Sequence, residues 1–210
     1  MISKMWGDIV IYEYILNNYK KGEPIFLNEI PGSSKNAVRQ EMKRLTDEGK
    51  LGRLYNGVYY IPYKTILGTD GKVSIDQFIE KKYLSVGGFM TGLSLVNKYG
   101  FTSQNPSIYE ICSNEATTKQ RKLEIDGNNL VIYKPLVPIT KDNIKELEFL
   151  SLMSIIDKYS EISGEEYKRK LREYVNMVGI NFIIVKECIS LFPNVVYKNI
   201  YEGGLMNELV

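Results

Sequence analysis

SSKNAVRQEMKRLTDEGKLGRLYNGVYYI, residues 33–61, is the stretch whose reading decides the fold. Ser33 and Ser34 are helix starters, and Ala37, Val38, Met42 and Leu45 recur at helical spacing behind them. Gly49 follows where a C′ glycine can take positive φ and close the helix. Two β-rich runs, Arg53–Tyr55 and Val58–Ile61, then flank Asn56-Gly57, a dipeptide suited to a type I′ hairpin turn. A helix followed at once by a tight hairpin is the second half of a winged helix-turn-helix, so the stretch predicts a DNA reader.

On a helical wheel Val38 and Leu45 centre the apolar stripe, while Asn36, Arg39, Gln40 and Lys43 lie opposite. Arg and Lys suit guanine O6/N7, and Asn and Gln suit adenine N6/N7, so this face has major-groove chemistry. A solvated surface helix would look similar. Three neighbours favour the sharper reading. A short apolar segment, Ile25–Ile30, precedes the helix through Pro31-Gly32 and is expected to be the second helix. The hairpin follows without a linker. Residues 31–64 also hold seven Lys/Arg against three Asp/Glu, in a chain whose total charge is only +2. Arg39 and Gln40 are the expected base readers. Lys35, Arg44 and Lys50 suit phosphate, as do Ser33 and Ser34 near the helix N-terminus. In the expected pairing Tyr55 faces Val58, Leu54 faces Tyr59 and Arg53 faces Tyr60. That leaves Arg53 and the tip residue Asn56 free to reach phosphate or minor groove.

Outward from this stretch, residues 8–20 read as an amphipathic helix with Ile9, Tyr12, Leu16 and Tyr19 near one stripe and Asp8 as its cap. The expected first domain, residues 1–66, has a core of Ile9, Tyr12, Leu16, Phe26, Leu27, Ile30, Val38, Met42, Leu45 and Leu54. Thr65–Lys72, with Gly68 and Gly71, reads as the join. Residues 73–210 read as a second domain. It has helices at Ser74–Tyr83 and Gly88–Tyr99, a strand at Ser107–Ser113, and a hairpin Arg121–Asp126/Asn129–Lys134 turning at Gly127-Asn128. A helical tail follows at Lys141–Tyr159, capped by Thr140, then Glu165–Val178, Asn181–Leu191 and a turn or two after Pro193. The fold class expected is α+β, a winged helix followed by an α+β domain with a small sheet and a helical tail.

At 210 residues the chain suits one large or two small domains, and 44% hydrophobic with 25% charged residues is an ordinary globular composition. There is no histidine, which removes the usual zinc ligand and general base. Cys112 and Cys188 lack CxxC spacing and read as reduced core thiols. With no signal-like N-terminus and no span near 18 apolar residues, the expected location is cytoplasmic, without membrane attachment. Glu124 and Asp126 sit near Lys134, but Ile132 stands two before it, so a carboxylate-x-Lys nuclease element is missing. No phosphate-binding loop, HExxH or G-x-S-x-G occurs. No catalysis, metal or cofactor is expected. Lys168-Arg169-Lys170 with Arg172, above the stripe Tyr167, Leu171, Tyr174 and Val178, reads as a solvated face or as an auxiliary DNA contact.

The run Tyr83–Pro106, YLSVGGFMTGLSLVNKYGFTSQNP, resembles the Y-[IL]-S-G-x-x-[AS]-L-x-x-x-G-[LF]-T-x-Q-x-P pattern of AbiE-type antitoxins, the regulatory partners in type IV toxin–antitoxin (abortive infection) modules. Tyr83, Ser85, Gly88, Leu93, Gly100, Phe101, Thr102, Gln104 and Pro106 carry the match, with an extra glycine in Val86-Gly87-Gly88. Residues 34–40 and Gly57-Val58-Tyr59-Tyr60 also look like that family's N-terminal winged helix. The resemblance implies a repressor of its own operon bound to promoter inverted repeats, and a co-encoded nucleotidyltransferase-like toxin with which it makes no stable complex. Against it stands an antitoxin that binds its target directly through the second domain, with DNA binding secondary. The motif's own residues are small and apolar and read as structural, with Thr102 and Gln104 available to bond backbone.

Overall fold

A computed structural model describes residues 11–209, a mixed α+β chain that divides into two compact units. The first comprises the chain up to Lys81 together with Ile125–Gly127; the second comprises Lys82–Glu124 and the chain from Asn128 onward.

In the first unit, residues 11–18 are helical (α1). Asp8 and Ile9, expected as cap and core, lie outside the described residues. The buried pair on α1 is Ile11 and Ile15, whereas Leu16 is 48% exposed. Tyr12 and Tyr19 of the expected stripe sit half-buried at its edge, and the Tyr19 hydroxyl donates to the Glu29 carboxylate at 3.2 Å. The expected second helix at Ile25–Ile30 is instead a short strand β1 (Ile25–Phe26) and a single 3₁₀ turn, Leu27–Glu29. Ile25 and Phe26 pair with Tyr59 and Val58, which fixes extended backbone. Pro31 disfavours helical backbone at Ile30, and Ile30 is extended at φ −84°, ψ 122°. Only one turn fits between these constraints.

Helix α2 (Lys35–Asp47) starts at Ser34, whose hydroxyl oxygen accepts from the Ala37 N–H at 3.1 Å. It closes at Gly49, φ 71°, with the Lys50 N–H bonded to the Leu45 carbonyl. Strands β2 (Gly52–Tyr55) and β3 (Val58–Tyr60) form the hairpin, and the sheet order is β1-β3-β2. Tyr55 faces Val58, but Arg53 faces Tyr59 and Gly52 faces Tyr60. The shift by one from the expected pairing comes from a bulge at Leu54, which leaves that residue half-buried. Among the turn residues only Gly57 has positive φ (74°), so the tip is not the expected type I′ turn. Ile11, Ile15, Ile25, Ile30, Val38, Met42, Leu45, Leu51, Tyr59 and Ile61 form the core beneath.

The glycine-bearing stretch read as a join forms a second small hairpin, β4 (Tyr63–Lys64) with β5 (Asp70–Gly71). Helix α3 (Ile75–Ile79) follows, with Phe78 packed on Phe26 at 6.1 Å between ring centroids, and continues as a π-helical turn, Glu80–Leu84.

The second unit holds a sheet β6-β7-β9-β8, made of β6 (Gly88–Met90), β7 (Tyr109–Ser113), β8 (Gln120–Ile125, ending at the unit boundary) and β9 (Asn128–Tyr133). Strand β7 runs parallel to β9 and antiparallel to β6. Gly88–Met90, expected to open a helix, is drawn into the sheet by pairing with Ser113, Cys112 and Ile111; helix α4 begins only at Gly92 and runs to Lys98. The β8–β9 turn is Asp126-Gly127, not Gly127-Asn128, and both residues have positive φ (48° and 77°). Helices α5 (Ile144–Met153), α6 (Ile156–Tyr159), α7 (Gly164–Val178), α8 (Phe182–Cys188) and α9 (Val195–Glu202) pack around Phe101, Phe149, Leu150, Leu171 and Val185. The N-cap of α5 is Asn143 rather than Thr140, and Ser154 and Ile155 break the expected helix 141–159. Cys112 and Cys188 are free thiols, and burial pushes Cys112 up to about 12. Among the described residues, no single helix is long and apolar enough to cross a membrane.

Candidate nucleic-acid interface

The geometry of α2 follows from its alternation of apolar and polar residues. Val38, Met42 and Leu45 are buried, and Lys35, Asn36, Arg39, Gln40 and Lys43 are exposed on the outer face. The Arg39 guanidinium donates to the Asn36 side-chain oxygen at 3.4 Å, so two expected readers are coupled one turn apart. Ser33 and Ser34 are exposed at the N-terminus. Ser34 spends its oxygen on the cap and keeps its own proton to donate.

Arg44 is placed differently from the rest. It donates to the buried carboxylate of Glu41 at 2.6 and 2.8 Å and also to Glu48. The bond from Glu41 holds Arg44 above its already high usual pKa. Its charge is answered within the helix. Lys50 is engaged likewise, 2.9 Å from Glu48 and over the Tyr12 ring at 5.4 Å.

On the hairpin, Arg53 turns back along its own strand. Its Nε donates to the Tyr55 carbonyl at 3.4 Å and one Nη to the Asn56 side-chain oxygen at 3.1 Å. Thus Arg53 and Asn56 are not independent groups at a free tip but one bonded pair. The cleft between α2 and the hairpin is lined by Arg39, Lys43 and Asp47 from the helix and by Arg53 and Asn56 from the hairpin. Lys35, Arg39, Lys43 and Arg53 have no carboxylate partner among the described residues. By contrast Lys64 and Lys81 of the same unit are ion-paired, as Lys50 is. Lys20 and Lys21 lack an ion pair as well, so of the six such cations among the described residues of this unit, four lie on α2 and its hairpin.

The basic cluster of α7 belongs to the second unit. Lys168 is 2.6 Å from Glu165 and Arg169 is 2.7 Å from Glu173, which answers half of it locally. Tyr167, Leu171 and Tyr174 are buried beneath, Val175 is buried beside them and Val178 lies at the edge.

The motif behind the resemblance closes around one carboxylate. Thr102 Oγ1 donates to Glu161 at 3.0 Å, the Ser103 N–H at 2.8 Å and the Gln104 amide at 3.3 Å. These bonds, the Ser103 backbone first, hold the Glu161 carboxyl below the usual range. Asn97 ties the same loop through the Thr102 and Gln104 carbonyls. Thr102 and Gln104 therefore serve a side chain 57–59 residues away, and Thr102 also bonds backbone as expected, its hydroxyl oxygen accepting from the Gln104 N–H at 3.2 Å. Glu161 could not be picked out from the sequence, since nothing local marks it.

No family model matches the chain, and no curated protein matches it. Among solved structures, the crystal structure of the RV2827C protein from Mycobacterium tuberculosis is similar, with a TM-score of 0.49 and 10% identity over 94% of this chain and 77% of that one.

Proposed function

We propose that this chain is a sequence-specific DNA-binding repressor whose first unit is a winged helix-turn-helix, with α2 as recognition helix and β2–β3 as wing. The observation that carries this reading is the gathering of Lys35, Arg39, Lys43 and Arg53, without carboxylate partners among the described residues, on one helix and the adjoining hairpin. Such uncompensated charge is what phosphate neutralisation requires. The order α1, β1, 3₁₀ turn, α2, β2, β3 and the sheet order β1-β3-β2 support it. Asn36, Arg39 and Gln40 then read base edges, while Lys35 and Lys43 contact phosphates.

The resemblance to AbiE-type antitoxins extends the proposal. The chain would repress its own toxin–antitoxin operon in the cytoplasm at promoter inverted repeats, and act as antitoxin to a nucleotidyltransferase-like toxin without a stable complex. It is proposed to need no cofactor and to catalyse nothing. The test is a titration of the full-length chain against its own upstream DNA and a scrambled duplex at rising salt. With some four to six phosphates neutralised, log K should fall with log[salt] at a slope near −4 to −5, and the upstream duplex should bind more tightly. A slope near zero would defeat the proposal.

A second reading, a direct protein-binding antitoxin, draws on the apolar side chains the helical tail leaves in solvent. Met177, Ile183 and Tyr201 are each about 70% exposed. Co-purification with the product of the neighbouring gene would favour it.

A further inference from the structure

The cleft between α2 and the hairpin holds an arrangement that the reading of base edges does not use. Lys43 lines it from the helix and Arg53 from the hairpin. Both bonds made by Arg53 run to neutral oxygens, of Tyr55 and Asn56, so its guanidinium is held in place with its charge unanswered. Lys43 is exposed and has no polar partner among the described residues. Leu27 and Tyr59 contribute apolar wall, which weakens screening and strengthens attraction for an anion. Asp47, one turn beyond Lys43, lines the same cleft and repels an anion from that end. Arg39 also borders the cleft, but its guanidinium is bonded toward Asn36 on the outer face.

We propose that this cleft seats a single phosphodiester of the DNA backbone, clamped between Lys43 of the helix and Arg53 of the hairpin, with Asn56 positioning Arg53. The inference rests on the DNA-binding reading and goes further, since it assigns two side chains from different elements to one phosphate. A backbone strand running between a helix in one groove and a hairpin over the next would bring such a diester to this place.

The test begins with a duplex selected from a randomised library by the full-length chain. Its phosphates are then neutralised one at a time by methylphosphonate substitution. At one position per bound protomer, neutralisation should weaken wild-type binding by about tenfold, as loss of a charged contact does. Lys43→Ala and Arg53→Ala should each weaken binding to the unmodified duplex, and each should lose less than wild type does when that position is neutralised. Lys43→Ala should also lower the salt slope by about one. Asp47→Asn should tighten binding by about two- to threefold, an effect that fades as salt screens it. All three side chains are exposed, so melting temperatures should hold. If the losses from substitution and neutralisation multiply at every position, or if Asp47→Asn weakens binding, the clamp is overturned while the DNA-binding reading stands. If no duplex is enriched, that reading fails and the clamp falls with it.

Discussion

Arg44 and Glu41 meet one turn apart on α2, Nη2 to Oε1 at 2.6 Å, and the carboxylate of the pair is 5% exposed. A buried carboxylate needs a partner, so Arg44 is committed to the helix rather than to solvent. Arg44→Ala should therefore leave DNA affinity near wild type while lowering stability by roughly 1–3 kcal/mol, less than for a fully buried pair because Arg44 is partly exposed. Urea melts beside a binding titration check both halves. Lost affinity at unchanged stability would make Arg44 a phosphate contact after all.

The first unit should need the segment beyond its hairpins. Phe78 is 2% exposed with its ring on Phe26, and Val73 is buried as well. A fragment of residues 1–66 lacks both and leaves Phe26 uncovered. Removing a buried phenylalanine costs about 3–5 kcal/mol, a large part of the stability of a unit this size. Fragment 1–81 should melt more cooperatively and at higher temperature than fragment 1–66. Equal melting curves by circular dichroism would refute this.

These two cases also mark what the sequence discloses. Helix α2 was legible because its cap, its apolar stripe and Gly49 all agree, and the outer-face residues on its wheel are exposed. Ile25–Phe26 was misread because two apolar residues next to Leu27 fit a helical stripe, while their strand pairing lies with Val58 and Tyr59, over thirty residues on. Periodicity cannot separate the two in so short a run. Gly88–Met90 failed for the same reason. Asp126-Gly127 and Gly127-Asn128 overlap as turn signals, and only the backbone shows that the first pair makes the turn. In the candidate site, residue types were visible, but not that Arg44 faces Glu41 or that Arg53 bonds Asn56. Partner choice is tertiary.

Glu161 gives a prediction in pH. Its carboxyl is held below the usual range by the Ser103 N–H and by the side chains of Thr102 and Gln104. A depressed folded-state value means that the stabilisation is present above the unfolded value, about 4.3, and is lost as pH falls through the folded one. Glu161→Gln should therefore melt below wild type at pH 7, with the gap closing as pH drops below about 4. Melting temperatures from pH 7 to pH 3 read this directly. A gap that stays constant with pH would show that the bonds of this loop to Glu161 do not depend on its charge.

Helix α2, the proposed recognition helix, bears the most direct test. Arg39 and Gln40 are exposed, whereas Leu45 on the same helix is fully buried. Arg39→Ala and Gln40→Ala should keep the fold, lower affinity for a selected duplex by about 1–3 kcal/mol each and relax sequence preference. Lys35→Ala should instead weaken selected and scrambled DNA alike and lower the salt slope by about one. Leu45→Ala should act through stability, losing about 2–5 kcal/mol to a cavity whatever the DNA. Melting temperatures beside titrations on both duplexes separate the three behaviours. Should Arg39→Ala and Gln40→Ala bind the selected duplex as tightly as wild type, α2 does not read bases, and the proposed function loses its reader.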